Sequence, residues 1–240
     1  MTAQTTDFRV MTSGAFTAAH LELAPQLERV TRKKIVTVTT SVGTGDTSIP
    51  NRLKRGEITD LVIVADTLLA QLIEQGLVRA ESRTPLARSS IALAVRAGAP
   101  QPDASSPEAL KRTLLAAKSI AYSASVSGQY LTTELYQRLD IADQCLPKSR
   151  LITGGERTGA VVARGEADIA FQQMSELLPV PGIAHITPLP PELQKIAVFS
   201  AGIAATSPDP ALARAAIEFL ASKEAEAAIA KTGLEPLADR

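Results

Sequence analysis

Short apolar runs alternate with stretches of helical periodicity along the first third of the chain. The pattern predicts a strand at residues 7–11 and then a helix at 16–30, in which apolar residues recur about every 3.6 positions. A β-branched run at 35–39 and an apolar run at 60–65 predict two more strands, separated by a helix that begins at Ile49. This order, with short loops, is typical of a parallel sheet with helices on its faces.

A second series of the same kind starts with a strand predicted at residues 89–96. Helices and strands again alternate between residues 107 and 172, and most strands feed a loop and then a helix. A Pro-rich connection at 179–191 leads to a return strand at 196–204, and one long helix is predicted over 210–231.

The two series predict an α/β protein with two lobes, each a mainly parallel sheet flanked by helices, and a ligand cleft between them. Residues 1–88 and 200–240 are assigned to lobe 1, and residues 89–199 to lobe 2. A chain of 240 residues is of ordinary length for two such lobes.

The composition is that of a globular protein without excess charge. Hydrophobic residues make up 45%, and 25 basic residues balance 25 acidic ones, so the chain lacks the basic footprint that nucleic acid binding requires. No apolar run reaches the roughly 20 residues of a spanning helix, so membrane insertion is not expected. The N-terminus lacks the pattern of a signal peptide, which predicts a cytoplasmic protein, or a periplasmic one from which a signal has been removed.

Residues that bind metals or act as nucleophiles are scarce. The single cysteine, Cys145, is interpreted as a small buried hydrophobe. The two histidines, His20 and His185, lie near no acidic cluster, so no metal site, no Ser-His-Asp arrangement and no cofactor are predicted.

Three loops share one design, in which a strand end meets Ser, Thr and Gly and then a helix start. They lie at residues 12–14, 41–48 and 123–128. Helix N-termini at the carboxyl edge of such a sheet bind anions, while Ser and Thr are also preferred helix caps, so both interpretations stay open. The second loop has no Lys in the place that a nucleotide-binding P-loop requires, which argues against a nucleotide.

A small set of side chains is selected as a candidate site for a small anion. Arg157 precedes a helix, Arg88 stands at the expected lobe crossing, and one Gln at the end of the strand at 168–172 should reach the cleft. If the protein is an enzyme, Asp46 and Glu156 are the candidate acid-base residues. The candidate ligand-binding residues are Ser13, Gly14, Thr44, Thr47, Arg88, Ser125, Ser127, Gly128, Arg157 and Gln173.

Several motifs across nearly the whole chain resemble the molybdate-binding-protein-like family of bacterial solute-binding proteins. The motifs are Ser13-Gly14-Ala15, Arg55-Gly56-Glu57, Leu86-Ala87-Arg88, Ser127-Gly128-Gln129-Tyr130 and Arg164-Gly165-Glu166-Ala167-Asp168. The resemblance implies the type 2 periplasmic-binding-protein fold, a small anionic ligand and a membrane permease as a partner.

Two positions depart from the molybdate-binding members. Asp46-Thr47 stands where they carry a Ser pair, and Gln173 stands where they carry a Tyr. A carboxylate at position 46 would repel a tetrahedral dianion. The local sequences around Ser48-Ile49-Pro50 and Phe171-Gln172-Gln173 resemble those of a branch of the family that includes aconitate isomerase.

Two main hypotheses follow from the residues and the resemblance. The first is a protein that closes on a small polycarboxylate or related oxyanion. The alternative is an isomerase that moves a proton between the allylic carbons of trans- and cis-aconitate. A third, the effector-sensing half of a regulator, is weaker because the sequence offers no DNA-binding segment.

Overall fold

The computed structural model describes residues 7–38, 40 and 45–237. The chain divides into two compact units, unit 1 with Met1–Arg88 and Ala197–Arg240, and unit 2 with Ser89–Ile196. The strand that returns the chain to unit 1 begins at Ala197, ahead of the boundary placed at residue 200 from the sequence.

The helices and strands follow each other in the alternating order expected for an α/β protein. The strands are β1 (Asp7–Thr12), β2 (Lys34–Val38), β3 (Leu61–Ala65), β4 (Thr84–Ser89), β5 (Ile91–Arg96), β6 (Ile120–Ser123), β7 (Ser149–Ile152), β8 (Ile169–Gln173), β9 (Ile183–Pro188), β10 (Ala197–Ile203) and β11 (Glu235–Pro236). The helices are α1 (Gly14–Thr31), α2 (Ile49–Lys54), α3 (Asp66–Glu74), α4 (Pro107–Ala116), α5 (Val126–Tyr130), α6 (Tyr136–Arg138), α7 (Ala142–Cys145), α8 (Thr158–Ala163), α9 (Met174–Leu177), α10 (Pro210–Leu220) and α11 (Lys223–Lys231). A π-helical turn at Leu131–Leu135 joins α5 to α6.

Unit 1 is built on a six-stranded mixed sheet in the order β11-β4-β10-β3-β1-β2. β1 pairs in parallel with β2 and β3, and β10 pairs antiparallel with β3. All five residues of β3 are buried, which is why this strand reads as an unbroken apolar run. The parallel strands β2, β1 and β3 end at one edge, where α1 follows β1 and α3 follows β3.

Unit 2 is built on a five-stranded mixed sheet in the order β7-β6-β8-β5-β9. β6 pairs in parallel with β7 and β8, whereas β5 runs antiparallel to β8 and β9. The carboxyl ends of β7, β6 and β8 therefore share one edge, which we call the unit 2 edge and which consists of residues 123–128, 156–158 and 172–176.

The two faces of the unit 2 sheet carry side chains of different size. Leu93 and Phe171 belong to a core cluster of large residues on one face, while Ala92 and Ala170 belong to a separate cluster that includes residues of α8 and α9. The small side chains let these two helices approach the sheet closely. Because side chains alternate along a strand, Gln172 points to the same face as Ala170, toward α8 and α9.

Three predictions from the sequence were wrong in detail. The strand predicted at 89–96 is preceded by a further strand, β4. The Pro-rich connection contains a strand, β9, which lies at the edge of its sheet and ends at Pro188. An edge strand tolerates a proline because one side of it has no partner strand. The long helix predicted over 210–231 is two helices. Ser222 interrupts it, since both its N–H and its hydroxyl donate to the Phe219 carbonyl oxygen and close a turn.

Candidate functional site

Three serine hydroxyls and one glutamine amide form a connected polar group at the unit 2 edge. Ser123 Oγ and Ser127 Oγ lie 3.0 and 3.1 Å from Gln172 Oε1, to which they donate. Ser125 Oγ lies 2.9 Å from both other hydroxyl oxygens. A hydroxyl has one proton, so Ser125, the most accessible of the three, can donate to one neighbour or to a ligand.

Side-chain capping does not account for the N-cap serines of the three loops that the sequence offered as candidate anion sites. Ser13, Ser48 and Ser125 stand at the N-caps of α1, α2 and α5, and none of their side chains bonds to its helix within the described chain. The chain caps helices normally elsewhere: Ser106 Oγ accepts from the Ala109 N–H at 3.1 Å. The open choice between capping and binding is therefore resolved against side-chain capping at these three positions.

Glu176, which the sequence analysis did not select, is the unusual carboxyl group of the unit 2 edge. Burial raises the pKa of Glu176 to about 7, while a hydrogen bond with the Gln172 side chain and the charge of Arg157 act in the opposite direction. The residue as a whole is of intermediate exposure. A carboxyl that titrates near neutrality can both accept and donate a proton.

Two buried hydroxyls close to Arg157 and Glu176 in the chain lack partners. Thr158 Oγ1 and Ser175 Oγ have no hydrogen-bond partner in the described part of the chain, and both residues are only 1% exposed. They stand in the first turns of α8 and α9, which pack against each other. Buried hydroxyls are normally paired, so these two are candidate donors to a bound anion.

Gly128 has a packing role at this edge. A Cβ atom built on Gly128 would lie 1.8 Å from the Ser123 carbonyl oxygen and 2.9 Å from the Tyr122 ring. The absence of a side chain is what lets α5 pack directly over the end of β6. The proposed ligand contact of Gly128 remains a prediction.

The corresponding edge of unit 1 carries Ser13 at the end of β1. Its hydroxyl is buried and has no partner among the described residues, and the same holds for Ser48 Oγ at the start of α2. Gly14 is the first residue of α1, and Thr47 lies in the exposed turn before Ser48. Thr44 lies outside the described residues.

The other residues selected from the sequence have surface positions or protein partners. Arg88 forms an ion pair with Glu235 (3.2 Å), and β4 is separated from β1 by two strands, or about 14 Å. Glu156 forms an ion pair with Arg164 at 2.7 Å, and Asp46 is an exposed turn residue. Their ligand or catalytic roles remain predictions.

Two adjacent glutamines, Gln172 and Gln173, stand at the end of β8, and the sequence predicted that one of them contacts the ligand. Gln172 accepts from the serines and hydrogen-bonds with Glu176, whereas Gln173, which was selected from the sequence, is buried at the N-cap of α9. The ligand contact of Gln173 remains a prediction. A shift of one residue along a strand exchanges its two faces, and two adjacent glutamines give no pattern that distinguishes them. The alternation of Ala170 with Phe171 is the signal that could have identified Gln172.

The described residues offer no metal site and no membrane span. No group of three or more His, Cys, Asp or Glu side chains there could hold a metal ion. Within the same residues, no helix has the length and apolar character needed to cross a bilayer. A surface groove of unit 2, lined by residues 101–105 and 187–191, shares no residue with the unit 2 edge.

Comparisons with known proteins give a sequence relative over nearly the whole chain. An aconitate isomerase from Pseudomonas sp. is 42% identical over 233 residues, which cover 97% of this chain and 88% of that protein.

Solved structures resemble the chain at much lower sequence identity. The periplasmic molybdate-binding protein of Azotobacter vinelandii has a TM-score of 0.77 at 18% identity, covering 95% of this chain and 98% of its own. A periplasmic thiamin-binding protein has a TM-score of 0.71 at 16% identity, covering 97% and 84%. These similarities show the fold, which is that of type 2 periplasmic binding proteins.

A family model provides the classification. The model described as bacterial extracellular solute-binding protein matches residues 8–235. The chain belongs to this family of bacterial extracellular solute-binding proteins.

Proposed function

We propose that the protein binds a small polycarboxylate and interconverts trans- and cis-aconitate. The observation that carries the proposal is the 42% identity, over 97% of this chain, with the aconitate isomerase of Pseudomonas sp.. The unit 2 edge supports it, because it combines hydroxyl donors and a cation with a carboxyl whose pKa is about 7.

The reaction needs few groups from the protein. A proton leaves the methylene carbon of trans-aconitate, the C–H electron pair forms a new double bond, and a proton is added at the former vinyl carbon. The negative charge that develops spreads into the adjacent carboxylate, which hydroxyl and guanidinium donors stabilise. No electron is gained or lost, so acid-base chemistry is sufficient.

Absorbance spectroscopy tests this function directly. Purified protein incubated with trans-aconitate is expected to change the ultraviolet absorbance toward that of the equilibrium mixture, at a rate proportional to protein concentration. No change at high protein concentration would exclude the isomerase function.

Binding without chemistry is the second candidate function. The family match favours it, and so does a structural relative, the PBP AgtB from A. tumefaciens R10 in complex with agropinic acid (TM-score 0.68, 15% identity, covering 96% of this chain and 83% of its own). In this case the protein would work in the periplasm and deliver its ligand to a membrane permease. A rise in melting temperature with citrate, molybdate or an aconitate, without turnover, would identify this case, since a ligand that binds only the folded state stabilises it.

Arg157 is expected to contribute to polycarboxylate affinity. Arg157→Ala removes a guanidinium that acts on the site electrostatically, and we expect the affinity for trans-aconitate to fall by roughly 10- to 100-fold, the usual range for a hydrogen bond to a charged group. Arg112→Ala, which removes an exposed guanidinium of the same unit, should change affinity less than about twofold.

Titration calorimetry measures both variants, and the same titration of Arg88→Ala tests the role predicted for that residue from the sequence. Equal affinities of the wild-type protein and Arg157→Ala for trans-aconitate would show that Arg157 does not contribute to ligand binding.

A further inference from the structure

The proposed isomerase function leaves open which side chain carries the proton, and the contacts of Glu176 single it out. Glu176 lies in α9, which begins directly after β8. The Gln172 side chain hydrogen-bonds with the Glu176 carboxyl and also accepts from Ser123 and Ser127. One amide therefore connects the carboxyl to the serine hydroxyls.

The surroundings of Glu176 suit a bound polycarboxylate. Arg157, the N-cap residue of the neighbouring helix α8, supplies a positive charge, and Thr158 and Ser175 supply two buried hydroxyls that have no partner among the described residues. These groups are of the kind that binds a ligand carboxylate. The helices α8 and α9 contact each other and pack on the sheet face that carries Ala92 and Ala170.

Other carboxyl groups with altered acidity are less suitable. Arginine partners hold the pKa values of Glu57, Asp66 and Glu166 below their ordinary range, so these groups stay ionised. Burial raises the pKa of Asp60, but Asp60 precedes β3 at the opposite end of the unit 1 sheet from Ser13 and is 1% exposed. Glu176 has a pKa near neutrality and belongs to the same sheet edge as the serine, threonine and arginine side chains.

We infer that the Glu176 carboxyl is the proton carrier of the isomerisation. Its carboxylate takes a proton from the methylene carbon, and the electron pair of the broken C–H bond enters the allyl system. The resulting carboxylic acid then returns a proton to the former vinyl carbon, so that one C–H bond is broken, one is formed, and Glu176 regains its starting state. Gln172 is a positioning residue in this scheme, because it orients the carboxyl.

The inference rests on the proposed isomerase function and is tested by Glu176→Gln, which keeps the shape of the side chain and removes its acid-base capacity. We expect turnover of trans-aconitate to fall by at least about 100-fold, the usual contribution of a general acid-base group. The melting temperature should still rise on addition of trans-aconitate. Glu192→Gln, the same change at an exposed carboxylate of unit 2, should keep turnover within about twofold of the wild-type value.

The variant Gln172→Met provides a second test, the pH dependence of kcat. A residue with a purely structural role would not change this pH dependence when it is replaced. Loss of the amide removes a hydrogen bond that lowers the pKa of Glu176, so the acid limb of the kcat profile should shift to higher pH by roughly half a unit or more. A reduced kcat with an unshifted profile would contradict the positioning role.

Each remaining outcome is decisive. If the wild-type protein interconverts the aconitates and Glu176→Gln does so at a similar rate, Glu176 is not the carrier. Loss of turnover in Glu156→Gln or Asp46→Asn, with Glu176→Gln still active, would instead assign the carrier predicted from the sequence. If the wild-type protein shows no turnover at all, the proposed function itself fails.

Discussion

Alanine at position 128 is expected to destabilise unit 2 severely. The added Cβ would lie 1.8 Å from the Ser123 carbonyl oxygen, and a backbone atom cannot rotate away as the end of a flexible side chain can. Either α5 must shift or β6 must bend, and both changes would also displace the serine hydroxyls. We expect the free energy of unfolding to fall by on the order of 3 kcal/mol, the upper end of the usual cost of overpacking.

Urea denaturation followed by circular dichroism measures this loss. Gln129→Ala is the matched control, since residue 129 is the next position of the same helix and its side chain is exposed. Its effect should stay within about 0.5 kcal/mol. Equal stabilities of Gly128→Ala and Gln129→Ala would show that α5 does not pack against Ser123 in the way described.

Acid is expected to destabilise unit 1 through His20. This histidine is 0% exposed, its Nε2 lies 2.9 Å from Thr37 Oγ1, and burial lowers its pKa from 6.5 to about 4. Between these two pH values the unfolded chain binds a proton that the folded one does not, so stability is lost as the pH falls through this window. The full shift corresponds to at most about 3 kcal/mol.

Denaturation at several pH values between 7 and 4 tests this prediction. His20→Gln should lower stability at pH 7 but flatten its dependence on pH, whereas His185→Asn, at an exposed position, should leave the slope unchanged. An unchanged slope in His20→Gln would contradict the assignment.

Glu176 should act on stability with the opposite sign. Its pKa is raised from 4.5 to about 7, so the folded chain binds the extra proton and this group favours the folded state as the pH falls. Removing it in Glu176→Gln should therefore steepen the acid loss that His20 causes. Double variants should add, because His20 and Glu176 belong to different units.

The fold class could be predicted from the sequence because its signals are local. β3 is an apolar run that is buried along its whole length, and Pro107 begins α4 at the residue where the pattern placed it. β9 was missed because several prolines surround it, and its place in the sheet comes from pairing with β5, a contact that no local pattern records.

The candidate site was predicted only in part, for a related reason. Ser125, Ser127 and Arg157, which lie at the unit 2 edge, could be selected because a Ser-rich or Gly-rich loop before a helix is a local signal. Their ligand roles remain predictions. Glu176 carries no such signal, since it reads as an ordinary acidic residue in a short helix. Its acidity depends on burial and on Gln172 and Arg157, which only the folded chain brings to it.

Isomerase activity on this scaffold would require only a small change from ligand binding. A solute-binding site already supplies hydroxyl and guanidinium donors that stabilise negative charge, and enclosure strengthens each of these hydrogen bonds. A carboxyl with a pKa near neutral pH, next to these donors, adds the acid-base group that ligand binding alone does not need. Unit 2 brings Ser125, Ser127 and Glu176 to one sheet edge.

The most direct test of the isomerase function starts from each isomer separately. Proton NMR of the wild-type protein with trans-aconitate, and of a second sample with cis-aconitate, follows both substances over time. The proposal predicts that the two samples converge on the same mixture, at rates proportional to the protein concentration. Two samples that each retain their starting isomer would contradict it.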